Sequence, residues 1–193
     1  MHRVQPQFAG PVGQFGTTGY PSRVTWEFKF GKIGPMSMKS VQDQMIGNYC
    51  WGCGADNPAG LHLKSYWDGE VALAEWIPSD EYAAGPQHFL NGGIIATLLD
   101  CHGVCTAIAS AYQREQREIG TDPEIWYATT SMSVEYQRPV PIYSTVQLMA
   151  RVAAHEDRTT TVTCVLSSEG KQRAQASVRS VRVPDHWRHG KND

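Results

Sequence analysis

One stretch limits the possible folds of this chain more than any other: from about Gly92 to Arg114 the sequence runs without proline and is predominantly apolar, opening on Asn91-Gly92-Gly93. Asn91 is a good N-cap, so a single long helix is predicted here. Around it the pattern is β. Leu61–Tyr66 and Val71–Ile77 read as strands joined at Trp67-Asp68-Gly69-Glu70, where Asp-Gly signals a hairpin. After the helix, Ile125–Gln137 alternates, with Trp126, Ala128, Met132, Val134 and Tyr136 on one parity and Thr129, Ser131, Ser133 and Glu135 on the other. Three more strands follow, marked by Val146, Leu148, Ala150 and Val152, then by Val162, Cys164 and Leu166, then by Arg173–Val183 after an Glu169-Gly170 hairpin. The last strand changes parity between Val178 and Val181, which suggests a bulge near Ser180. Two strands, one helix and four strands predict an α+β fold in which an antiparallel sheet covers a single helix.

Flanking segments are simpler. Residues 1–35 are rich in Gly, Pro and Gln and are expected to be a poorly ordered extension, with Val24–Phe30 a weak strand. The folded domain is expected over 36–185 and a polar tail over 186–193. A short helix is expected over Ser37–Ile46, and Asn48–Gly60 is turn chemistry. With 193 residues the chain is long enough to bury a real core. Its formal charge of −2 gives no basic field for nucleic acid or an anionic membrane. The longest apolar stretches, Ile94–Leu99 and Val104–Ala109, fall well short of a membrane span, and no signal-peptide order opens the sequence. A soluble cytoplasmic protein is the expectation. Five cysteines, an odd number, read as reduced thiols.

Asp100 is the anomaly within the helix. A carboxylate in an otherwise apolar helix is costly to bury unless it is paired or has a role. Its helical neighbours Gly93, Ala96, Thr97, Gly103, Val104 and Ala107 are mostly small, which would let a second helix approach, whereas Leu98, Cys101, Cys105 and Ile108 form a bulkier stripe suited to a sheet. Gly92 and Gly93 leave backbone N–H groups at the positive end of the helix dipole, where a carbonyl oxygen can be polarised. Eight residues of helix separate Gly92 from Asp100 by about 12 Å, too far for both to touch one carbonyl. Two antiparallel copies would bring Asp100 of one chain to Gly92 of the other, so a shared site implies a homodimer.

The run Asn91-Gly92-Gly93-Ile94-Ile95-Ala96-Thr97-Leu98-Leu99-Asp100 resembles the His-Gly-Gly…Asp signature of hotdog thioesterases of the phenylacetyl-CoA thioesterase (PaaI-like) type. Val134-Glu135-Tyr136-Gln137-Arg138-Pro139 followed by Val146–Val152 resembles the strand, Arg-Pro, strand segment of that family, and Cys50-x-x-Cys53-Gly54 with Asn57-Pro58-x-Gly60-Leu61 also recurs there. The likeness extends over about Cys50–Val183. It implies a hotdog fold and hydrolysis of acyl-CoA to acid and CoA, in a homodimer or a dimer of dimers and without a cofactor. It further implies that Gly92 N–H binds the thioester oxygen, that Asp100 of the other subunit acts as nucleophile or general base, and that Thr129 orients water or carboxylate. Asn91 stands where the family has His. Asn91, Gly93, His88 and Gln87 are the remaining candidates for substrate contact.

Other motifs carry less. Cys50-x-x-Cys53 is read as a structural turn and no metal site is assigned, because no second Cys/His pair follows at ribbon or finger distance. His102 falls on nearly the opposite helix face from Asp100 and is read as a packed residue. Arg114, Arg117, Arg138, Arg151 and Lys171 are available for CoA phosphates but read as solvated charges. Two rival functions share the fold: an acyl-thioester dehydratase or hydratase using His88 with Asp100, and a non-catalytic acyl-CoA-binding protein.

Overall fold

A computed structural model describes residues 39–188. The expectations for residues 1–35, including the strand at Val24–Phe30, and for 189–193 lie outside the described residues. A 3₁₀ turn at Gln42–Gln44 leads to β1 (Tyr66–Trp67) and β2 (Ala72–Trp76), and a second at Asp80–Tyr82 precedes α1 (Gly92–Arg114). Then come β3 (Tyr127–Tyr136), β4 (Val146–Glu156), β5 (Thr159–Ser168), β6 (Lys171–Arg182) and the short α2 (Asp185–Arg188). All six strands form one antiparallel sheet in the order β1-β2-β4-β5-β6-β3. After α1 the chain therefore crosses to the far edge before returning beside β2.

Local chemistry accounts for most of these boundaries. Asn91 caps α1 through its side-chain oxygen, which accepts from Gly93 N–H at 2.7 Å. Asp68 closes the first hairpin by accepting from the amides of Glu70 and Val71, and Gly69 takes a positive φ of 105° there. Glu169 and Gly170 both have positive φ, the backbone that a two-residue turn between twisted strands requires. Within the described part of the expected Ser37–Ile46 helix the single 3₁₀ turn forms, and Leu61–Ser65 is not a strand, with His62 at a positive φ of 54°. The Asn48–Gly60 loop instead anchors that stretch, with Leu61 N–H donating to Trp51 O and Leu63 N–H to Gly52 O.

The sheet buries one face on α1. Ala72, Ala74 and Trp76, then Val146, Leu148 and Ala150, then Val162, Cys164 and Leu166, and finally Ala174, Ala176 and Val178 are all buried at every second position. By length and apolar composition α1 could cross a membrane, yet 72% of its apolar window is buried inside the fold, as befits a core helix. Gly103 marks the close approach of helix to sheet: a Cβ there would lie 2.9 Å from Val178 Cβ and 3.2 Å from Cys164 Sγ. Its smallness serves the sheet, not a second helix. Gly103→Ala should therefore destabilise the fold by about 1–3 kcal/mol through overpacking, outweighing the roughly 1 kcal/mol that alanine gains in helix propensity, as measured by urea denaturation.

One bulge corrects the reading of strand parity. Ser180, not Val181, continues the buried face of β6, and the extra residue lies opposite, on β3, where Thr129 pairs with Ser180 and Ser131 with Arg179. Thr130 is thus the bulged residue. Beyond it Met132, Val134 and Tyr136 pair with Val178, Ala176 and Ala174. Thr129 and Tyr136, assigned to opposite faces by simple alternation, consequently share the face turned toward α1.

Candidate active site

Asp100 projects from the middle of α1 into half-buried surroundings and accepts a 2.6 Å hydrogen bond from Thr129 Oγ1. Burial pushes its carboxyl pKa upward, and the Thr129 hydroxyl offsets part of that rise by stabilising the anion. The Thr130 bulge makes this contact possible, since it aims Thr129 at the helix.

At the helix N-terminus, Gly93 N–H donates to Asn91 Oδ1. Gly92 occupies the first helical position, where an amide has no intrahelical acceptor. Tyr136, on the same parity of β3 as Met132 and Val134, is 54% exposed and donates from its hydroxyl to Gly92 O at 2.9 Å. Sequence reasoning missed this residue because its place depends on a distant contact: only the tertiary fold shows that the end of β3 closes over the start of α1. His88 and Gln87 are exposed on the loop before the helix, where His88 O accepts from Ile142 N–H. Phe89, Met132 and Tyr136 form exposed apolar surface on this loop and on β3, an outer strand of the sheet.

His102 is fully buried on another side of α1. Burial lowers its pKa to about 4, so the ring is neutral at pH 7. Its Nε2 is 3.1 Å from Ala72 O, which can only accept; Nε2 therefore carries the hydrogen and Nδ1 accepts from Ser65 Oγ at 2.9 Å. Both ring nitrogens are thus used in holding β2 and the preceding segment to the helix. Among the basic candidates, Arg117 and Arg151 are paired with Glu115 and Glu70, whereas Arg138 and Lys171 line a cavity of about 540 Å³ with Gln172 and Arg173. A cavity of about 630 Å³ also opens near the C-terminal end of α1, lined by Trp67, Tyr112, Gln113 and Arg117 among others.

No protein-family model matches the sequence. Solved structures do resemble it. A thioesterase-superfamily protein from Shewanella loihica is 30% identical, over 63% of this chain and 91% of its own, with a TM-score of 0.49. PaaI from the phenylacetic acid degradation operon of E. coli is 14% identical, with 64% of this chain and 81% of its own covered and a TM-score of 0.53. A Streptococcus mutans protein solved with bound acetyl-CoA is 15% identical, with 63% and 88% covered and a TM-score of 0.52. Their shared architecture is the antiparallel sheet around one long helix described above. By fold, the chain is a hotdog protein, similar in architecture to PaaI.

Proposed function

We propose that the protein hydrolyses acyl-CoA thioesters at a site completed by two copies of the chain. The observation that carries this reading is the half-buried Asp100 carboxylate, held by Thr129 at 2.6 Å in the middle of an apolar helix. A buried carboxylate with one orienting hydroxyl is a reasonable base or nucleophile. The oxyanion donor is Gly92 N–H of the second copy, because about 12 Å of helix separates the two positions within one chain. The outer strand β3 and the exposed Phe89, Met132 and Tyr136 supply surface for such a pairing. Acetyl-CoA in the Streptococcus mutans structure supports an acyl-CoA as the ligand class.

In the base-catalysed route, Asp100 takes a proton from water as its oxygen bonds to the thioester carbon. The carbonyl oxygen becomes an anion against Gly92 N–H, a contact worth on the order of 3 kcal/mol. Collapse breaks the C–S bond and the CoA thiolate recovers the proton. In the nucleophilic route the Asp100 oxygen attacks first and the C–S bond breaks, expelling CoA thiolate; water then cleaves the mixed anhydride to the acid and the Asp100 carboxylate, and its proton goes to the thiolate. Both need the same two groups.

An acyl-CoA panel, read by release of free thiol and in parallel by hydration of enoyl-CoA, tests the reading. Thiol release on at least one acyl class without enoyl hydration is the expected result. Hydration without thiol release would assign the site to a hydratase using His88, and binding without either reaction would make the protein an acyl-CoA carrier.

A further inference from the structure

The Asn48–Gly60 loop and α1 bring together thiols that are about fifty residues apart in sequence. Cys50 Sγ lies 3.7 Å from Cys101 Sγ, and the sulfurs of Cys50, Cys53 and Cys101 all lie within 4.8 Å of one another. Cys105 follows one helical turn beyond Cys101 on the same face of α1 and is buried. From the sequence, Cys101 and Cys105 belong to a stripe turned to the sheet. In the structure they face the loop.

We infer that Cys50, Cys53 and Cys101 form a thiolate site for a zinc ion. Zinc bound to thiolates is tetrahedral with Zn–S near 2.3 Å, so two of its sulfurs stand about 3.8 Å apart. The Cys50–Cys101 separation of 3.7 Å already equals that edge, and it is far longer than the roughly 2.0 Å of a disulfide. A set made only of sulfur selects zinc over the hard cations magnesium and calcium.

The loop is shaped to deliver these sulfurs. A Cβ on Gly52 would stand 2.4 Å from Cys101 Sγ and 2.7 Å from Thr97 Cγ2, so only glycine lets the loop lie this close to the helix. Gly54 N–H donates to Cys50 O at 2.7 Å, and a Cβ on Gly54 would strike the backbone of Asn48 and Cys50 at 2.4 Å. Cys-x-x-Cys-Gly is thereby folded into a tight knuckle with both sulfurs turned toward α1. Cys105 is held apart from the three: Gln42 Nε2 donates to Cys105 Sγ at 3.2 Å, while Gln42 Oε1 accepts from Ser65 N–H at 2.8 Å. Cys50 is exposed, which gives the ion a way in, while Cys53, Cys101 and Cys105 are buried. Binding replaces the thiol protons, so each zinc taken up releases them to solvent.

The test uses the full chain, reduced and stripped of metal, with zinc alone as the probe. Zinc should bind at one ion per chain against a competing chelator, raise the melting temperature, and protect the exposed Cys50 from alkylation. Cobalt in its place should give the sulfur-to-metal charge-transfer and visible bands of a tetrahedral thiolate site. Cys50→Ser, a change at an exposed position, and Cys101→Ser should each weaken zinc binding on the order of a hundredfold or more, beyond the roughly 10–100-fold expected when only a supporting contact is lost. Cys164→Ala removes a buried thiol on the sheet side of α1 and should bind zinc normally. Failure to hold one zinc per chain, or equal binding by wild type and the exposed Cys50→Ser variant, would overturn the site. Because the readout is metal content, the result is independent of whether the protein is a thioesterase.

Discussion

Asp100→Asn should abolish thiol release from acyl-CoA, lowering kcat by roughly 10²–10⁴-fold, while leaving the fold and oligomeric state unchanged. Asparagine keeps the volume of the side chain, and its Oδ1 can still accept the Thr129 hydroxyl that reaches Asp100 at 2.6 Å. Only the anion is lost. Burial raises the Asp100 pKa, which means that the folded state disfavours the charged form, so the neutral amide should not lower the melting temperature. Thr129→Ala is the milder companion: it leaves the carboxylate and removes its orienting hydroxyl, so the loss in kcat should be smaller than that of Asp100→Asn. Near-normal turnover by a well-folded Asp100→Asn protein would remove Asp100 from the mechanism.

The outline of this fold could be read from the chain because its signals are local. The Asn91 cap and the absence of proline define α1, Asp68-Gly69 and Glu169-Gly170 define two hairpins, and alternating burial along β4, β5 and β6 follows Val146, Val162 and Ala174 two residues at a time. What stayed hidden depends on contacts between distant segments. Thr130 bulges because Thr129 pairs with Ser180 and Ser131 with Arg179, and in a run of Thr, Thr and Ser neither parity is apolar enough to reveal that. One bulge thus decides whether Thr129 faces solvent or Asp100. The side taken by Gly103 was equally hidden: every residue from Cys105 to Tyr112 is buried, so periodicity there marks no single inward face. Cys50 and Cys101 meet only because the loop crosses the helix at Gly52, a contact that spacing along the chain does not encode.

Mixed dimers built from two inactive parents should recover about a quarter of wild-type activity. Gly92→Pro removes the amide hydrogen proposed to hold the oxyanion, at a first-turn position where proline is compatible with a helix. Asp100→Ala removes the carboxylate. Each homodimer carries a lesion in both of its sites and is inactive. If every site takes Gly92 from one chain and Asp100 from the other, a mixed dimer holds one site with both lesions and one with neither. Random exchange makes about half of the dimers mixed, and each of these has one working site of two, which gives the quarter. If instead both groups of a site came from the same chain, every site in the mixture would keep a lesion and nothing would be recovered. The helix geometry favours the first outcome, since about 12 Å separates the two positions within a chain. Circular dichroism and size measurements on each parent establish that the proline has not unravelled the start of α1, and tagged subunits establish that exchange has occurred. Mixtures with proven mixed dimers that stay as inactive as their parents would show that Gly92 and Asp100 do not meet across an interface.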